Sequence, residues 1–205
     1  MLKEMSLEAF ANAVVSTEPV PGGGSVSALA GGLAAALAGM VAALTLKKEQ
    51  YADRAPLMQD LRLQAGQLQA KLLTCVDEDA ESYRRVLAAF RLPKSTDEEK
   101  QTRGAAIQAA FRYATEVPLD VAEAALQVLE LAGTAARQGN PDMLTDAGVG
   151  VLMARSAALG ALMNATFNLG SLKDKALIAR LNARIGELKQ TVVKKEAEIL
   201  NALKI

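Results

Sequence analysis

The stretch EPVPGGGSVSALAGGLAAALAGM, residues 18–40, joins a turn rich in proline and glycine to a run of small and apolar residues. The uncharged run from Ser25 to Leu46 has 22 residues, which is long enough to span a membrane. Eight of these residues are alanine and three are glycine, and such residues gain little free energy on transfer into lipid. We therefore predict a helix packed inside a folded protein, with a membrane span as the second interpretation.

Small residues recur four positions apart along this predicted helix and form two faces. They are Ala28, Gly32 and Ala36 on one face, and Gly31, Ala35 and Gly39 on the other. Side chains this small let the backbone of a neighbouring helix approach closely. Because the helix is apolar on all sides, we predict that it is central, surrounded by other helices or shared across a dimer.

The turn formed by Gly22, Gly23, Gly24 and Ser25 does not follow the known phosphate-loop patterns. The Walker pattern requires a lysine and a hydroxyl residue after its last glycine, and the dinucleotide fingerprint requires a preceding strand. Two interpretations remain open. The turn either lets helices pass closely, or it presents helix N-terminal amides, capped by Ser25, that can hold a carboxylate or a carbonyl oxygen.

The composition favours one all-α domain over residues 1–205, a helical bundle with long helices and a central Ala/Gly-rich helix. Tryptophan is absent, and four phenylalanines and three tyrosines leave a core of alanine, leucine, valine and methionine. Helical spacing recurs, and no segment alternates over strand length. Helices are predicted over residues 6–15, 25–47, 56–92, 95–138 (with a kink or restart at Pro118), 146–169 and 174 to the C-terminus.

Charge and residue usage exclude several classes of function. Twenty-three basic residues balance 23 acidic ones, which argues against a nucleic-acid partner or an anionic membrane surface. Cys75 is the single cysteine and histidine is absent, so neither a disulfide nor a histidine metal site is expected. Any proton chemistry must then use a carboxylate, lysine, tyrosine or cysteine. The N-terminus has no signal-peptide core, which predicts a cytoplasmic protein.

One carboxylate, Asp79, lies on the face of a predicted helix that should be buried. At 100° per residue it falls in an apolar stripe, whereas Asp77, Glu78 and Glu81 point away from that stripe and are predicted to be solvated. The stripe contains Met58, Leu61, Ala65, Leu68, Leu72, Val76, Asp79, Tyr83, Val86 and Phe90. A carboxylate among apolar neighbours should have a raised pKa, as a general acid or base requires. The alternative is a structural aspartate paired with an arginine or a backbone amide of another helix. Tyr83, one turn further along the same helix, could be the partner of Asp79 or a second proton carrier.

Other polar residues are candidates for binding. Asn164 and Asn168 lie four apart and either join two helices or contact a flat polar ligand. Thr145 and Asp146 are predicted helix caps, with Asp146 also a candidate site residue. Basic residues close two predicted helices and could bind an anionic tail, although the helix dipole alone explains such positions. They are Lys47, Lys48, Arg91 and Lys94.

Together, these segments resemble the cyclodeaminase/cyclohydrolase family of folate one-carbon enzymes. The resemblance extends from about Ser6 to Lys204, and its segments are EPVPGGGSVSALAGGLAAALAGMVAALT, VDEDAESY, RLPKSTDEEK, VPLDVAE and MNATFNL. It implies an all-helical homodimer with a tetrahydrofolate site near the subunit interface. It also implies that Asp79 is the acid/base residue, and no metal or cofactor beyond the tetrahydrofolate substrate is expected. The family usually has serine where this chain has Thr145, a change that keeps the hydroxyl.

The resemblance implies one of two reactions. In the cyclodeaminase reaction a folate nitrogen attacks a formimino carbon and ammonia leaves, and in the cyclohydrolase reaction water opens the methenyl bridge. On this hypothesis Asn164 and Asn168 contact the pterin or the reacting centre, and the turn from Gly22 to Ser25 offers backbone amides. One of the four basic residues named above meets the glutamate tail. A non-catalytic helical scaffold or folate-binding dimer, with Asp79 purely structural, is the competing interpretation.

Overall fold

The computed structural model describes residues 1–203 and is all-α within them, which confirms the predicted fold class. Short 3-10 helices at Leu2–Glu4, Glu49–Arg54 and Pro141–Met143 connect or precede the α-helices. The α-helices are α1 (Leu7–Val15), α2 (Gly23–Leu46), α3 (Ala55–Phe90), α4 (Asp97–Gln138), α5 (Leu144–Leu169) and α6 (Lys175–Leu203).

Helix α2 is the central helix, packed against α3, α4 and α5. Its small residues allow these neighbouring helices to approach closely. A Cβ at Gly31 would lie 3.2 Å from the methyl groups of Leu72 on α3 and 3.4 Å from Ala157 on α5. A Cβ at Gly32 would lie 3.2 Å from Leu73. The core is accordingly built from alanine, valine and leucine at close helix spacing, as the sequence predicted.

Two segments, Gly23–Leu46 and Pro141–Leu169, are long and apolar enough to cross a membrane by length and composition alone. Within their most apolar windows, 44% and 50% of the residues are buried inside the protein. Contacts with neighbouring helices therefore account for much of their apolar character.

Helix α4 continues without interruption through Pro118, so the predicted restart at this residue does not occur. Proline lacks the amide hydrogen that would bond to the carbonyl four residues earlier, here that of Ala114. This carbonyl instead accepts a hydrogen bond of 2.6 Å from Nδ2 of Asn168 on α5. The cost of a proline inside a helix is thus partly offset by a bond from another helix.

Three local predictions need correction. Asp77 is not simply solvated, because its Oδ1 accepts a 2.6 Å hydrogen bond from the backbone amide of Leu2 and ties the N-terminus to α3. Helix α5 begins at Leu144 after Met143, which makes no side-chain cap, so Thr145 and Asp146 lie in its first turn and are not caps. Ser25 is also not a cap, since α2 begins two residues earlier, at Gly23.

Candidate active site

The N-terminal end of α2 has free backbone donors. Its first helical hydrogen bond joins the amide of Val26 to the carbonyl of Gly22, and Gly22 has no side chain to act as a cap. The amides of Gly23, Gly24 and Ser25 therefore have no carbonyl partner within the helix. Such an end carries a partial positive charge and favours a negatively charged group.

The carboxyl group of Asp79, which comes from α3, lies against this helix end. The Ser25 hydroxyl donates a hydrogen bond of 2.8 Å to Oδ2 of Asp79 and lies 3.2 Å from the carbonyl of Val76. A Cβ at Gly24 would overlap the Asp79 carboxyl group, so the approach requires glycine at this position. Asp79 thus takes the place of the missing helix cap, from a different helix.

Two opposing effects set the proton affinity of Asp79. Burial raises the pKa of its carboxyl group above the ordinary value for aspartate, and hydrogen bonds from the side chain and backbone of Ser25 act in the opposite direction. No ionised partner is among the causes of this pKa shift. The environment is that of a carboxyl group able to exchange a proton, which a general acid or base must do.

A cleft of about 350 Å³ opens in front of Asp79. It is formed by the segment before α2, the start of α2, and residues of α3, α4 and α5. Its polar lining includes Asp79, Ser82, Tyr83, Asn164 and Asn168, and its apolar lining includes Val20, Val86, Phe111 and Phe167. Gly22, Gly23 and Gly24 also border it. Asp79 and Tyr83 are the titratable residues of this lining, so the described cleft carries no permanent positive charge.

The two asparagines have their amide nitrogens engaged. Nδ2 of Asn164 donates a 2.9 Å hydrogen bond to the carbonyl of Gly160 on its own helix, and Nδ2 of Asn168 donates to Ala114 on α4. The oxygen Oδ1 of each side chain makes no hydrogen bond among the described residues, so it is available to a ligand in the cleft that both residues line. With the Asp79 carboxyl group, these oxygens offer acceptors for N–H groups of a ligand, beside the amide donors at the start of α2.

Lys94 borders a second pocket next to the cleft. This pocket has a volume of about 620 Å³ and four basic side chains, those of Lys94, Lys100, Arg103 and Lys173. Phe111 lines both the pocket and the cleft, so the two adjoin at this residue. Lys100 pairs with Asp97 at 2.8 Å, and the described lining contains no acidic residue.

Four of the predicted basic and acidic residues line neither the cleft nor the second pocket, and Ser25 also lines neither of them. Lys47 and Lys48 follow the far end of α2, about 35 Å from Gly23 at 1.5 Å per helical residue. Asp146 lies about 27 Å along α5 from Asn164 by the same rise. Arg91 caps the end of α3 and is exposed, away from the described lining. Ser25 is fully buried and contacts Asp79 instead of facing the cleft.

Sequence reasoning missed several residues of the two pockets. Phe167 is 83% exposed at the rim of the cleft, and Ser82 donates a 2.7 Å hydrogen bond to the backbone carbonyl of Asp79. Phe167 stands between Asn164 and Asn168 in MNATFNL, so a helical projection of that segment could have found it. Lys100, Arg103 and Lys173 come together because Gln108 of α4 bonds to Ser171 and Lys173, a long-range contact that no local pattern indicates.

Comparison with known proteins identifies the family. The family model of formiminotransferase-cyclodeaminase matches residues 6–187. The chain is 39% identical over 172 residues to methenyltetrahydrofolate cyclohydrolase of Methylorubrum extorquens, covering 83% of this chain and 82% of that protein. The chain therefore belongs to the formiminotransferase-cyclodeaminase family, as the resemblance predicted.

Two further relatives extend this result. Formimidoyltransferase-cyclodeaminase of Rattus norvegicus is 34% identical over 202 residues, which cover 98% of this chain but 37% of the rat protein. The crystal structure of formiminotetrahydrofolate cyclodeaminase from Thermotoga maritima superposes with a TM-score of 0.89, covering 100% of this chain and 98% of that chain at 24% identity. This likeness shows that the two proteins share a fold.

Proposed function

We propose that the protein is a folate one-carbon enzyme that acts on the carbon bridging two nitrogens of a tetrahydrofolate derivative, with Asp79 as its general acid and base. The observation that carries this proposal is the partly buried Asp79 carboxyl group, held on the N-terminus of α2 at the base of a cleft. Two of the named proteins support this substrate class, because the names of the cyclohydrolase and of the Thermotoga maritima cyclodeaminase state a tetrahydrofolate derivative as the substrate.

The lining of the cleft matches a reduced pterin. A tetrahydropterin ring carries an exocyclic amine and ring N–H groups, which can donate to the oxygens of Asn164 and Asn168. Phe111 and Phe167 offer flat apolar surfaces beside these acceptors. In this orientation the bridging carbon lies towards Asp79 and the glycine turn, whose amides favour an oxygen carrying negative charge.

The chemistry assigned to Asp79 is the same in both candidate reactions. In hydrolysis, the carboxylate removes a proton from the attacking water as its oxygen bonds to the methenyl carbon. A proton is then delivered to the folate nitrogen as its bond to that carbon breaks, and the second water proton passes to solvent. In deamination, the attacking group is a folate nitrogen and the proton goes to the departing ammonia. Holding the reacting groups close together contributes further acceleration.

Both reactions remain candidates, because relatives of both kinds match this chain. The cyclohydrolase from Methylorubrum extorquens matches most of both chains and makes hydrolysis the first candidate. The rat cyclodeaminase matches 98% of this chain and makes deamination the second. The protein is proposed to work in the cytoplasm and to need no metal or cofactor besides the folate substrate.

We assign the basic pocket, in place of Lys47 and Lys48, to the glutamate tail of the folate. Lys94 keeps its predicted role there, joined by Lys100, Arg103 and Lys173. The pocket adjoins the cleft at Phe111, so a pterin in the cleft can extend its carboxylates towards these four cations. Arg91 is exposed three residues before Lys94 and remains an outer candidate for the same tail.

The proposed homodimer uses the outer faces of α2 and α5. Large apolar side chains that are 37% to 83% exposed lie on these two helices, which pack against each other. They are Val26, Leu33, Met40, Val149, Leu152, Met163 and Phe167. Since Phe167 also borders the cleft, a second copy on this face would cover the rim of the site.

The proposal is tested by assaying one preparation with both substrates, methenyl- and formimino-tetrahydrofolate. We expect turnover of at least one, seen as loss of the methenyl absorbance or as released ammonia. Asp79→Asn keeps the shape and removes the titrating group, so it should lower kcat by two orders of magnitude or more. If the protein were a scaffold, both wild type and Asp79→Asn would bind folate without turnover. If Asp79→Asn were active, another residue would have to be the general acid and base.

A further inference from the structure

The interior proline of α4 and the cleft asparagine of α5 are both related to one atom, the backbone carbonyl oxygen of Ala114. Pro118 is buried in the middle of the helix and donates no amide hydrogen to the carbonyl of Ala114. The carbonyl accepts Nδ2 of Asn168 at 2.6 Å, across the boundary between the two helices.

This contact fixes which end of the Asn168 amide faces the cleft. A carbonyl oxygen can only accept, so the group that approaches Ala114 has to be the NH₂ end of the side chain. Oδ1 then remains for the cleft that Asn168 lines. A helical amide hydrogen bonded to the same carbonyl would compete with Nδ2 of Asn168 and weaken the preference of the side chain for this orientation.

We infer that Pro118 is a positioning residue for substrate: by leaving the Ala114 carbonyl open it holds Asn168 with Oδ1 directed into the cleft, where it accepts an N–H group of the ligand. This inference rests on the proposed function, since it assigns the acceptor for the pterin. It also gives the interior proline a role at the site, because a residue with an amide hydrogen would close the helical bond. The competing interpretation is that Asn168 only joins α4 to α5.

The test is Pro118→Ala, in which the new amide can bond to Ala114 and compete with Asn168. Alanine is the better helix former, so the variant should fold with its melting temperature kept or raised. KM for the folate substrate should rise about threefold to tenfold with kcat nearly unchanged, the pattern of a lost binding contact. Asn168→Ala should raise KM by at least as much.

Pro56→Ala is the matched control, because it removes another helical proline outside the cleft. Pro56 lies in the first turn of α3, where no helical carbonyl awaits its amide, and its replacement should leave KM unchanged. An unchanged KM in Pro118→Ala would overturn the role of the proline. An unchanged KM together with a lowered melting temperature in Asn168→Ala would show that Asn168 only joins two helices.

A second readout does not depend on turnover. In the wild-type protein the side-chain NH₂ signal of Asn168, assigned by its loss in Asn168→Ala, should show a hydrogen-bonded proton in nitrogen-edited NMR. Pro118→Ala should move this signal towards that of a solvated amide, and an unmoved signal would contradict the inference. If the signal moves while no folate is turned over, the positioning contact stands and the proposed function fails.

Discussion

At the scale of single residues, Asp79 links the stability of the protein to its proposed activity. Its folded-state pKa is raised, so the folded protein binds this proton more tightly than the unfolded chain does. The stabilisation from this group is therefore complete below the ordinary pKa of aspartate and declines as pH rises through the raised value. Asp79→Asn should remove this decline and be at least as stable as wild type at neutral pH. Urea denaturation at several pH values measures the free energy of unfolding of the two proteins. A variant less stable than wild type at neutral pH would contradict this prediction.

Ser25 provides a second prediction at this scale. The hydrogen bond from its hydroxyl favours the ionised form of Asp79, so Ser25→Ala should raise the pKa of Asp79 further and move the acidic limb of kcat/KM to higher pH. The cleft-lining residues of α2, α4 and α5 carry no charge, and Tyr83 is the other titratable group in the lining. Ser27→Ala is the control, because the Ser27 hydroxyl bonds to Gly23 of its own helix. An unmoved limb in Ser25→Ala would exclude this role.

The position of Asp79 on the apolar face of α3 could be predicted from the sequence, because the whole apolar stripe that defines this face lies on one helix. Met58, Leu72 and Val76 are buried on the same face of α3 and define the direction in which Asp79 points. Its partner Ser25 could not be assigned in this way, since their bond joins residues 54 positions apart. Ser25 was predicted to be a cap and a ligand contact, but two glycines before it begin the helix and leave its hydroxyl to α3.

At the scale of the helices, glycines differ in what they contribute. Gly66 lies inside α3, where an added Cβ would meet nothing within 4 Å, so Gly66→Ala should stabilise the protein by roughly 0.5–1 kcal/mol. Gly31 of α2 is pressed between α3 and α5, and Gly31→Val should destabilise by about 1–3 kcal/mol through overpacking. Thermal unfolding of the two variants measures both. Equal effects would show that α2 is not closely packed at this point.

Helix boundaries were predicted well where composition changes abruptly and poorly where tertiary contacts decide. The capping box of Thr96 and Glu99 starts α4 close to the predicted start at residue 95, because both of its bonds are local. Pro118 was predicted to kink or restart that helix, but the compensating bond comes from Asn168, which lies 54 positions after Ala114 in the chain. A rule based on neighbouring residues in the sequence cannot identify such a distant partner.

At the scale of the whole molecule, the apolar face of α2 and α5 predicts self-association. Light scattering should give about twice the chain mass of 21.5 kDa. Leu33→Glu places a charge on this face and should shift the protein towards the monomer and lower turnover, because Phe167 would lose its cover. Val193→Glu on α6, 43% exposed in wild type, is the matched surface control and should remain a dimer. A monomeric wild type would remove the proposed interface.

The single thiol of the chain lies on α3, one turn before Asp79 and buried in the core. Burial, with the nearby Glu78 carboxylate as a smaller cause, raises the pKa of the Cys75 thiol to about 12. Since the thiolate is the reactive form, the folded protein should resist alkylation, and labelling should require opening of the helices around it. The rate of iodoacetamide labelling, followed by mass spectrometry, would then report how often the helices around Cys75 open, without any introduced cysteine.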